Sequence, residues 1–188
     1  AYVVGGFVRD LLLRIKNLDI DIVIEGDGIN FAEMFAAEEG AKIRSHKRFR
    51  TATIIFPDGF KIDVATARRE YYDHPAALPV VELSSLKQDL YRRDFTMNTI
   101  ALSLNPGEIG VLTDFFGGQK DIKEKTIRVL HNLSFVEDPT RVFRAIRFEK
   151  KLGFKLGGQT RKLIENVVKI NFFERLAGSR IASELILI

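Results

Sequence analysis

Residues 3–25 constrain the fold of this chain more than any other stretch of its sequence. They end in the β-branched run Ile20–Ile24, which directly follows Asp19 and contains Asp21. Because side chains alternate between the two faces of a strand, carboxylates at this spacing lie on one face. Carboxylates that lean together can hold divalent cations about 3.5–4 Å apart, the separation found in two-metal phosphoryl-transfer sites.

A glycine pair, Gly5 and Gly6, stands where the first strand gives way to an apolar helix pattern. Without side chains in the way, backbone N–H groups at a helix start can approach phosphate oxygens closely. The glycines and the two aspartates therefore suit one kind of substrate, a nucleoside triphosphate accompanied by Mg²⁺. Arg9 and Asp10 follow in the same helix, and their pattern alone is typical of solvated polar residues.

Hydrophobic periodicity predicts mixed strands and helices up to about residue 133 and helices beyond it. Residues 68–85 show little periodicity, and we interpret them as a mobile loop near the site. We therefore predict an α+β fold with a head domain over residues 1–133 and an all-helical domain over residues 134–188. The predicted strands cover residues 3–4, 20–24, 41–45, 51–56, 60–64, 101–104 and 126–130. The predicted helices cover residues 7–15, 31–39, 86–91, 119–125, 137–152, 158–170 and 174–188.

A third carboxylate, Asp63, falls on the second strand of the hairpin that the turn at residues 57–59 closes. A neighbouring strand of a catalytic sheet can supply such an additional acidic group. An aspartate that caps the following turn is an equally good interpretation of its position.

Residues 92–101 bring Arg93, Asp94 and Asn98 together among apolar residues. Arginine offers a planar fork of donors to phosphate, while aspartate and asparagine suit ribose hydroxyls. This composition favours recognition of phosphate and sugar, and a solvated run of charges is the alternative.

The first helix of the C-terminal part combines Asp138 as a candidate N-cap with Pro139 at the first helical position. Asp138 and Arg141 are three residues apart and therefore neighbours at one helix end. Together they could present an acceptor and a bidentate donor to the edge of a base, although capping alone explains Asp138. Arg144 lies on the same helix.

Composition excludes several classes of site and of protein. The chain has no cysteine, which rules out disulfides, iron–sulfur clusters and cysteine-ligated zinc and is compatible with a reducing cytosol. The three histidines have no metal-ligand spacing, so metal chemistry would use carboxylates and hard ions. No apolar run approaches the roughly 20 residues that span a bilayer, and no signal-peptide pattern opens the sequence as given. We therefore expect a cytoplasmic protein without a membrane partner.

Four motifs, in this order, resemble the head and neck of the class II tRNA nucleotidyltransferase/poly(A) polymerase family, which belongs to the DNA polymerase beta-like superfamily. An Asp-x-Asp pair alone is weak evidence, whereas four motifs in order are hard to obtain by chance. The chain starts inside an apolar strand and stops in an unfinished helix, so we expect both domains to be truncated pieces of a longer protein. The motifs are Gly5–Asp10 with Asp19 and Asp21; Arg92–Asn98; Glu137–Phe148; and, loosely, Arg180–Leu185.

The resemblance implies a role for each matching residue. Asp19 and Asp21 are expected to hold Mg²⁺ and to be catalytic together with Asp63. Asp138 and Arg141 are expected to act as a protein template for the base of incoming ATP or CTP, with Arg144 nearby. The other expected nucleotide-binding residues, which contact phosphates and ribose, are Gly5, Gly6, Arg9, Arg93, Asp94 and Asn98.

The implied reaction is in-line attack of a tRNA 3′-hydroxyl on the α-phosphate of a nucleoside triphosphate, with release of pyrophosphate. It would add the CCA end or only its terminal A without a nucleic-acid template. The family's head motifs are shared with poly(A) polymerases, which is one alternative. A non-catalytic RNA-binding module of the same fold is another, although such a module has no need of clustered carboxylates facing a polyanion.

Overall fold

Strands and helices alternate along most of the computed structural model, which describes residues 1–71, 80–170 and 178–187. None of the helices in these ranges has the length and hydrophobicity that crossing a bilayer requires. The strands in these ranges are β1 (Tyr2–Val4), β2 (Ile20–Ile24), β3 (Lys42–His46), β4 (Thr51–Ile55), β5 (Lys61–Thr66), β6 (Arg68–Tyr71), β7 (Val80–Leu83), β8 (Ile100–Ser103), β9 (Leu112–Asp114), β10 (Thr126–Ile127) and β11 (Lys155–Leu156). The helices there are α1 (Gly6–Leu12), α2 (Gly28–Glu38), α3 (Leu86–Tyr91), α4 (Gly118–Lys123), α5 (Ser134–Glu137), α6 (Thr140–Leu152), α7 (Gly158–Lys169) and α8 (Gly178–Leu185).

The chain packs as two units. The first contains Ala1–Arg69, Val81–Arg92 and Asn98–Phe115. The second contains Arg93–Met97 together with the described residues of Glu70–Val80 and from Phe116 onward. Packing therefore assigns α4 and β10 to the second unit. These units are defined by packing and do not locate a domain boundary along the chain. The boundary near residue 133 therefore stays a prediction.

A mixed seven-stranded sheet with the order β3–β4–β5–β2–β1–β8–β9 organises the first unit. β2 and β5 are parallel neighbours, whereas β4 and β5 form the antiparallel hairpin expected from the turn at residues 57–59. That turn is closed by the Phe56 amide, which donates to the Phe60 carbonyl at 2.9 Å. The predicted mixed sheet with flanking helices is confirmed, and β2 has the predicted bounds.

Helix α2 covers one face of this sheet through small side chains. Ala32 and Ala36 are buried against Ile54 of β4 and Val64 of β5. Alanine at these positions lets the helix backbone come close to the strands. The helix backbone comes closest to the strands at its first residue, Gly28, where an added Cβ would lie 2.8 Å from the Thr66 amide nitrogen.

The second unit is built around aromatic side chains. The ring of Phe95 meets the ring of Phe148, a residue of α6, edge to face with centroids 5.8 Å apart. Phe135 of α5 is fully buried. β10 pairs in parallel with β11, which lies between α6 and α7. β11 is an exception to the helices expected over residues 134–188, since its two residues pair with a strand far away in sequence.

Other sequence-based expectations differ from the structure in extent. Residues 68–85 are not irregular throughout, because β6 and β7 form a two-stranded sheet; residues 72–79 of the expected mobile loop lie outside the described residues. The helix expected over residues 174–188 is described only as α8, and residues 171–177 lie outside the described ranges. The strand expected over residues 126–130 is limited to β10.

Candidate functional site

Two of the predicted catalytic carboxylates stand side by side in the sheet. Asp21 of β2 is paired with Asp63 of β5 in the parallel ladder. Because neighbouring strands lie about 4.8 Å apart and registered side chains share a face, these carboxylates project to the same side. Asp19 directly precedes β2, two residues before Asp21. Asp21 is half-buried, while Asp19 and Asp63 are exposed and open to a ligand.

Asp63 is oriented by its neighbour on the hairpin. The Thr53 hydroxyl of β4 donates to Asp63 Oδ1 at 2.5 Å, and the two residues are paired in the β4–β5 ladder. One carboxylate oxygen therefore has a fixed direction before any ligand arrives. The alternative that Asp63 caps a following turn is not the arrangement seen, since Asp63 lies inside β5.

The donor set fits a hard divalent cation that is only partly ligated by protein. Among the described residues, no group of three or more acidic or histidine side chains converges into a complete metal-binding cluster. Mg²⁺ does not need one, because it is bound through one or two carboxylates, waters and substrate phosphates. Exposed Asp19 and half-buried Asp21 offer carboxylate oxygens of the required kind.

Arg9 and Asp10 of α1 form a buried ion pair. Arg9 is 4% exposed and Asp10 is 3% exposed, and Arg9 Nη2 lies 2.6 Å from Asp10 Oδ1. Arg9 Nη1 also donates to Asn98 Oδ1 at 2.7 Å. The interpretation of Arg9 and Asp10 as solvated polar residues is therefore wrong. A phosphate-binding role for Arg9 stays a prediction, and its guanidinium is bonded to these two side chains.

Gly5 and Gly6 form the turn from β1 into α1. Gly5 has φ 76° and ψ −137°, a conformation that a residue with a side chain rarely adopts. A Cβ on Gly6 would come within 3.6 Å of Arg9 Nη2 and 3.8 Å of Asn17 Nδ2. The turn is thus packed against the buried pair beneath it, and binding of a triphosphate here stays a prediction.

In the second unit, Asp94 and Arg144 of the predicted nucleotide-binding set are bonded to each other. Arg144 Nη2 lies 2.6 Å from Asp94 Oδ2, and the adjacent Asp94 charge raises the pKa of Arg144 above its ordinary value. Asp94 Oδ1 accepts the Phe95 amide at 2.8 Å. Arg144 also lies 3.6 Å from Glu184 of α8.

Asp138 holds the start of α6 and an arginine of α8. Its Oδ1 accepts the Thr140 amide at 3.1 Å and the Thr140 hydroxyl at 2.7 Å. Arg180 Nη2 donates to the same oxygen at 2.9 Å. Pro139, rather than Asp138, is the cap residue of α6, so the predicted helix start is shifted by one residue although Asp138 still bonds to its first amide.

Arg141 is turned toward the interior of the second unit. It is 6% exposed, and its Nη1 donates to the Ser134 hydroxyl at 2.8 Å and lies 3.9 Å from Glu137 Oε2. Both Asp138 and Arg141 therefore have protein partners in this structure, and their template role stays a prediction.

Sequence reasoning gave no role to several residues that hold these groups in place. Arg180 and Glu184 are four apart on α8, so their spacing alone predicted one helix face. Asn17 stands two residues before Asp19, a spacing that is typical of an Asx turn. Thr53 gave no such signal, because its partner is fixed only by the register of the hairpin.

Comparison with known proteins gives one family and several close relatives. The family described as the poly A polymerase head domain matches residues 1–128. The A-adding tRNA nucleotidyltransferase of Geobacter sulfurreducens is 62% identical over 188 residues, which are 100% of this chain and 21% of that protein. The A-adding tRNA nucleotidyltransferase of Aquifex aeolicus is 45% identical over 185 residues, 98% of this chain and 22% of that protein. The chain thus spans about a fifth of the length of these relatives.

A solved structure shares the fold. It is a tRNA nucleotidyltransferase complexed with a primer tRNA and an incoming ATP analog, and it superposes with a TM-score of 0.89 at 42% identity. The match covers 99% of this chain and 52% of that one.

Proposed function

Since the chain belongs to the family of the poly A polymerase head domain, we propose that it is the catalytic part of a tRNA nucleotidyltransferase that adds the terminal adenosine. The observation that carries this proposal is the pairing of Asp21 with Asp63 on parallel strands, directly beside Asp19. Relatives that are 62% and 45% identical are A-adding enzymes, which favours transfer from ATP over assembly of the whole CCA end. Because these relatives are much longer, the proposal concerns the full-length protein.

The proposed metal is Mg²⁺, held by Asp19 and Asp21. The chemistry that a bound divalent cation supplies at such a site is activation of the primer hydroxyl and neutralisation of charge on the phosphates. Asp63, whose Oδ1 is held by Thr53, is paired with Asp21 and lies on the same face of the sheet. In the proposed reaction the Asp63 carboxylate orients the 3′-hydroxyl that attacks the α-phosphate, and pyrophosphate leaves on the opposite side.

The proposed recognition of the nucleotide involves three groups of residues. The turn at Gly5 and Gly6 would contact the β- and γ-phosphates. Asp138 and Arg141 would hydrogen-bond the base, and Arg180 would then share or release its bond to Asp138. The ribose and its neighbouring phosphate would be bound by residues of the Arg92–Asn98 segment, with Arg144 beside them: Arg93, Asp94 and Asn98. A cytoplasmic location completes the proposal, and the absence of cysteine from the sequence is compatible with it.

The test uses the full-length protein, Mg²⁺, each labelled nucleoside triphosphate in turn and three forms of one tRNA. These forms lack the CCA end, end in CC, or are complete. Addition of a single A to the form ending in CC, with no addition to the others, is the expected result. Incorporation of C followed by A would identify a CCA-adding enzyme, and long A tails would identify a poly(A) polymerase. No incorporation of any nucleotide would favour a non-catalytic RNA-binding module.

A further inference from the structure

A chain of hydrogen-bonded side chains leads from the buried pair in α1 to the candidate metal-binding edge of the sheet. Asn17 Nδ2 donates to Asp10 Oδ2 at 2.8 Å, and Asn17 Oδ1 accepts the backbone amide of Asp19 at 2.8 Å. We propose that Asn17 is a positioning residue, which fixes Asp19 for binding a divalent cation. This inference rests on the proposed function and assigns it one further residue.

Asp19 needs such a support because the sheet does not provide one. β2 begins at Ile20, and the ladder with β5 begins at the pair of Ile20 with Ile62. Asp19 is exposed, so packing contributes little to its position. Its amide is held instead by the side chain of Asn17, and this bond sets the direction in which the chain enters β2.

Asn17 is in turn held by a rigid group. Asp10 is 3% exposed and binds Arg9 through Oδ1 at 2.7 Å, which leaves Oδ2 as the acceptor for Asn17. Arg9 reaches Asn98 with another nitrogen. Because Arg9 and Asp10 are both buried and charged, separating them would leave an unpaired charge in the protein interior, at a cost that keeps the pair in place.

The arrangement has the form of the outer support of a metal site. Groups that hydrogen-bond to a metal ligand orient it before the ion binds, and changing them weakens metal affinity by about 10–100-fold. Asn17 bonds to the backbone amide of Asp19 rather than to its carboxylate, so we expect its effect at the lower end of this range. Asn17 suits this role because its amide has both a donor and an acceptor, so it can connect an anion to a backbone N–H. Alanine has neither group, and serine retains an acceptor that can bond the amide two residues on.

The experiment measures Mn²⁺ binding to the full-length protein by electron paramagnetic resonance. The binding component that disappears in Asp19→Ala defines the site. We expect Asn17→Ala to weaken this component by about tenfold, at the lower end of the range for outer support, and Asn17→Ser to have a smaller effect. Hydrogen exchange at the Asp19 amide should accelerate in Asn17→Ala, while the amide of Val23 inside β2 should not change.

A matched control separates positioning from general loss of stability. Asp27 caps α2 in the same unit by accepting the amides of Ile29 and Asn30, so Asp27→Ala should destabilise the protein by about 1 kcal/mol without altering Mn²⁺ affinity. Mn²⁺ binding that requires Asp19 but is unchanged in Asn17→Ala would overturn the inference about Asn17 and leave the proposed function standing. Mn²⁺ binding that survives Asp19→Ala and Asp21→Ala would overturn the metal assignment in the proposed function, and this inference with it.

Discussion

The half-buried Asp21 occupies a well-supported position in the sheet. Its backbone is paired with β5 on one side and with Val4 of β1 on the other, so backbone pairing on both sides supports the strand at this position. We therefore expect Asp21→Ala to lower nucleotide transfer by at least about 10³-fold, equivalent to ~4 kcal/mol of activation free energy, with an unchanged circular dichroism spectrum. Single-turnover transfer to tRNA by the full-length protein measures the effect.

The control for Asp21 is Asp58→Asn, in the turn before β5. Asp58 Oδ1 accepts the Phe60 amide, and asparagine retains this acceptor. Activity of Asp21→Ala close to that of the control would contradict the assignment of Asp21 to the reaction.

Two ion pairs of similar length should differ greatly in their effect on stability. Arg9 and Asp10 are 2.6 Å apart with side chains 5% and 4% exposed, while Arg69 and Glu82 are 2.7 Å apart and 47% and 51% exposed. Asp10→Ala leaves a buried arginine without its carboxylate and should lower the free energy of unfolding by about 3–5 kcal/mol. Glu82→Ala should cost about 0–1 kcal/mol because water solvates the arginine that remains.

Urea denaturation of the two variants tests this contrast. Equal losses of unfolding free energy in Asp10→Ala and Glu82→Ala would contradict this prediction, because they would show that burial does not make the ion pair of Arg9 more important for stability.

His131 should make stability depend on pH below neutrality. Burial lowers the pKa of His131 from its ordinary value of 6.5, partly opposed by Glu137 and assisted by Arg141. The unfolded chain therefore binds a proton more readily, so stability is retained above about pH 6.5 and is lost as the pH falls toward the lower folded-state value. His131→Gln should show a smaller loss of unfolding free energy between about pH 7.5 and 5.5 than the unaltered protein. An identical loss in both would exclude His131 as its source.

At the scale of elements, the start of α2 depends on the absence of a side chain. A Cβ on Gly28 would lie 2.8 Å from the Thr66 amide nitrogen and 3.0 Å from the Ala65 carbonyl carbon. Because both are backbone atoms of β5, the helix itself would have to move. We expect Gly28→Ala to lower the melting temperature, with a loss of about 1–3 kcal/mol.

Gly158 provides the control, since it is the first residue of α7 just as Gly28 is of α2. A Cβ there meets nothing within 4 Å, so Gly158→Ala should be neutral or stabilise by about 0.4–1 kcal/mol. Differential scanning calorimetry of both variants gives the comparison. If Gly158→Ala destabilises the protein as much as Gly28→Ala, the cause would be the loss of glycine at a helix start in general and not the close contact with Thr66.

Elements with local signals could be predicted from the sequence. β2 has the predicted bounds because its β-branched run ends at the turn that follows Glu25. The β4–β5 hairpin follows from two alternating segments around a Pro-Asp-Gly turn. The register that pairs Asp21 with Asp63 could not be predicted this way, because it depends on a parallel contact between strands separated by a helix and two further strands.

Features that depend on distant partners were missed for the same reason. Burial of Arg9 depends on Asn98, which is 89 positions away, and β11 exists only through its pairing with β10. The resemblance placed Asp138 and Arg141 in the site, but their bonds to Arg180 and Ser134 depend on how α5, α6 and α8 pack.

At the scale of the whole molecule, size should limit affinity for tRNA. The chain carries a formal net charge of +4, and it corresponds to 21% of the Geobacter sulfurreducens relative. Affinity for a nucleic acid depends largely on the number of phosphates contacted, which also sets how steeply binding weakens with salt. We expect the chain alone to bind tRNA more weakly, and with a smaller salt dependence, than that full-length relative. Filter binding over a series of salt concentrations measures both, and equal slopes would contradict the expectation.

β3 lies at the edge of the sheet, a position that affects how copies of the protein associate with one another. Among the described strands, β3 pairs only with β4, so its other side offers backbone donors and acceptors to any extended segment. Such an edge invites strand addition between molecules unless charges oppose it. β3 carries Lys42 and Arg44 as exposed residues, and the like charges of two such edges repel each other. We therefore expect the basic character of this strand to oppose edge-to-edge association of copies during folding and at high concentration, independently of any role in catalysis.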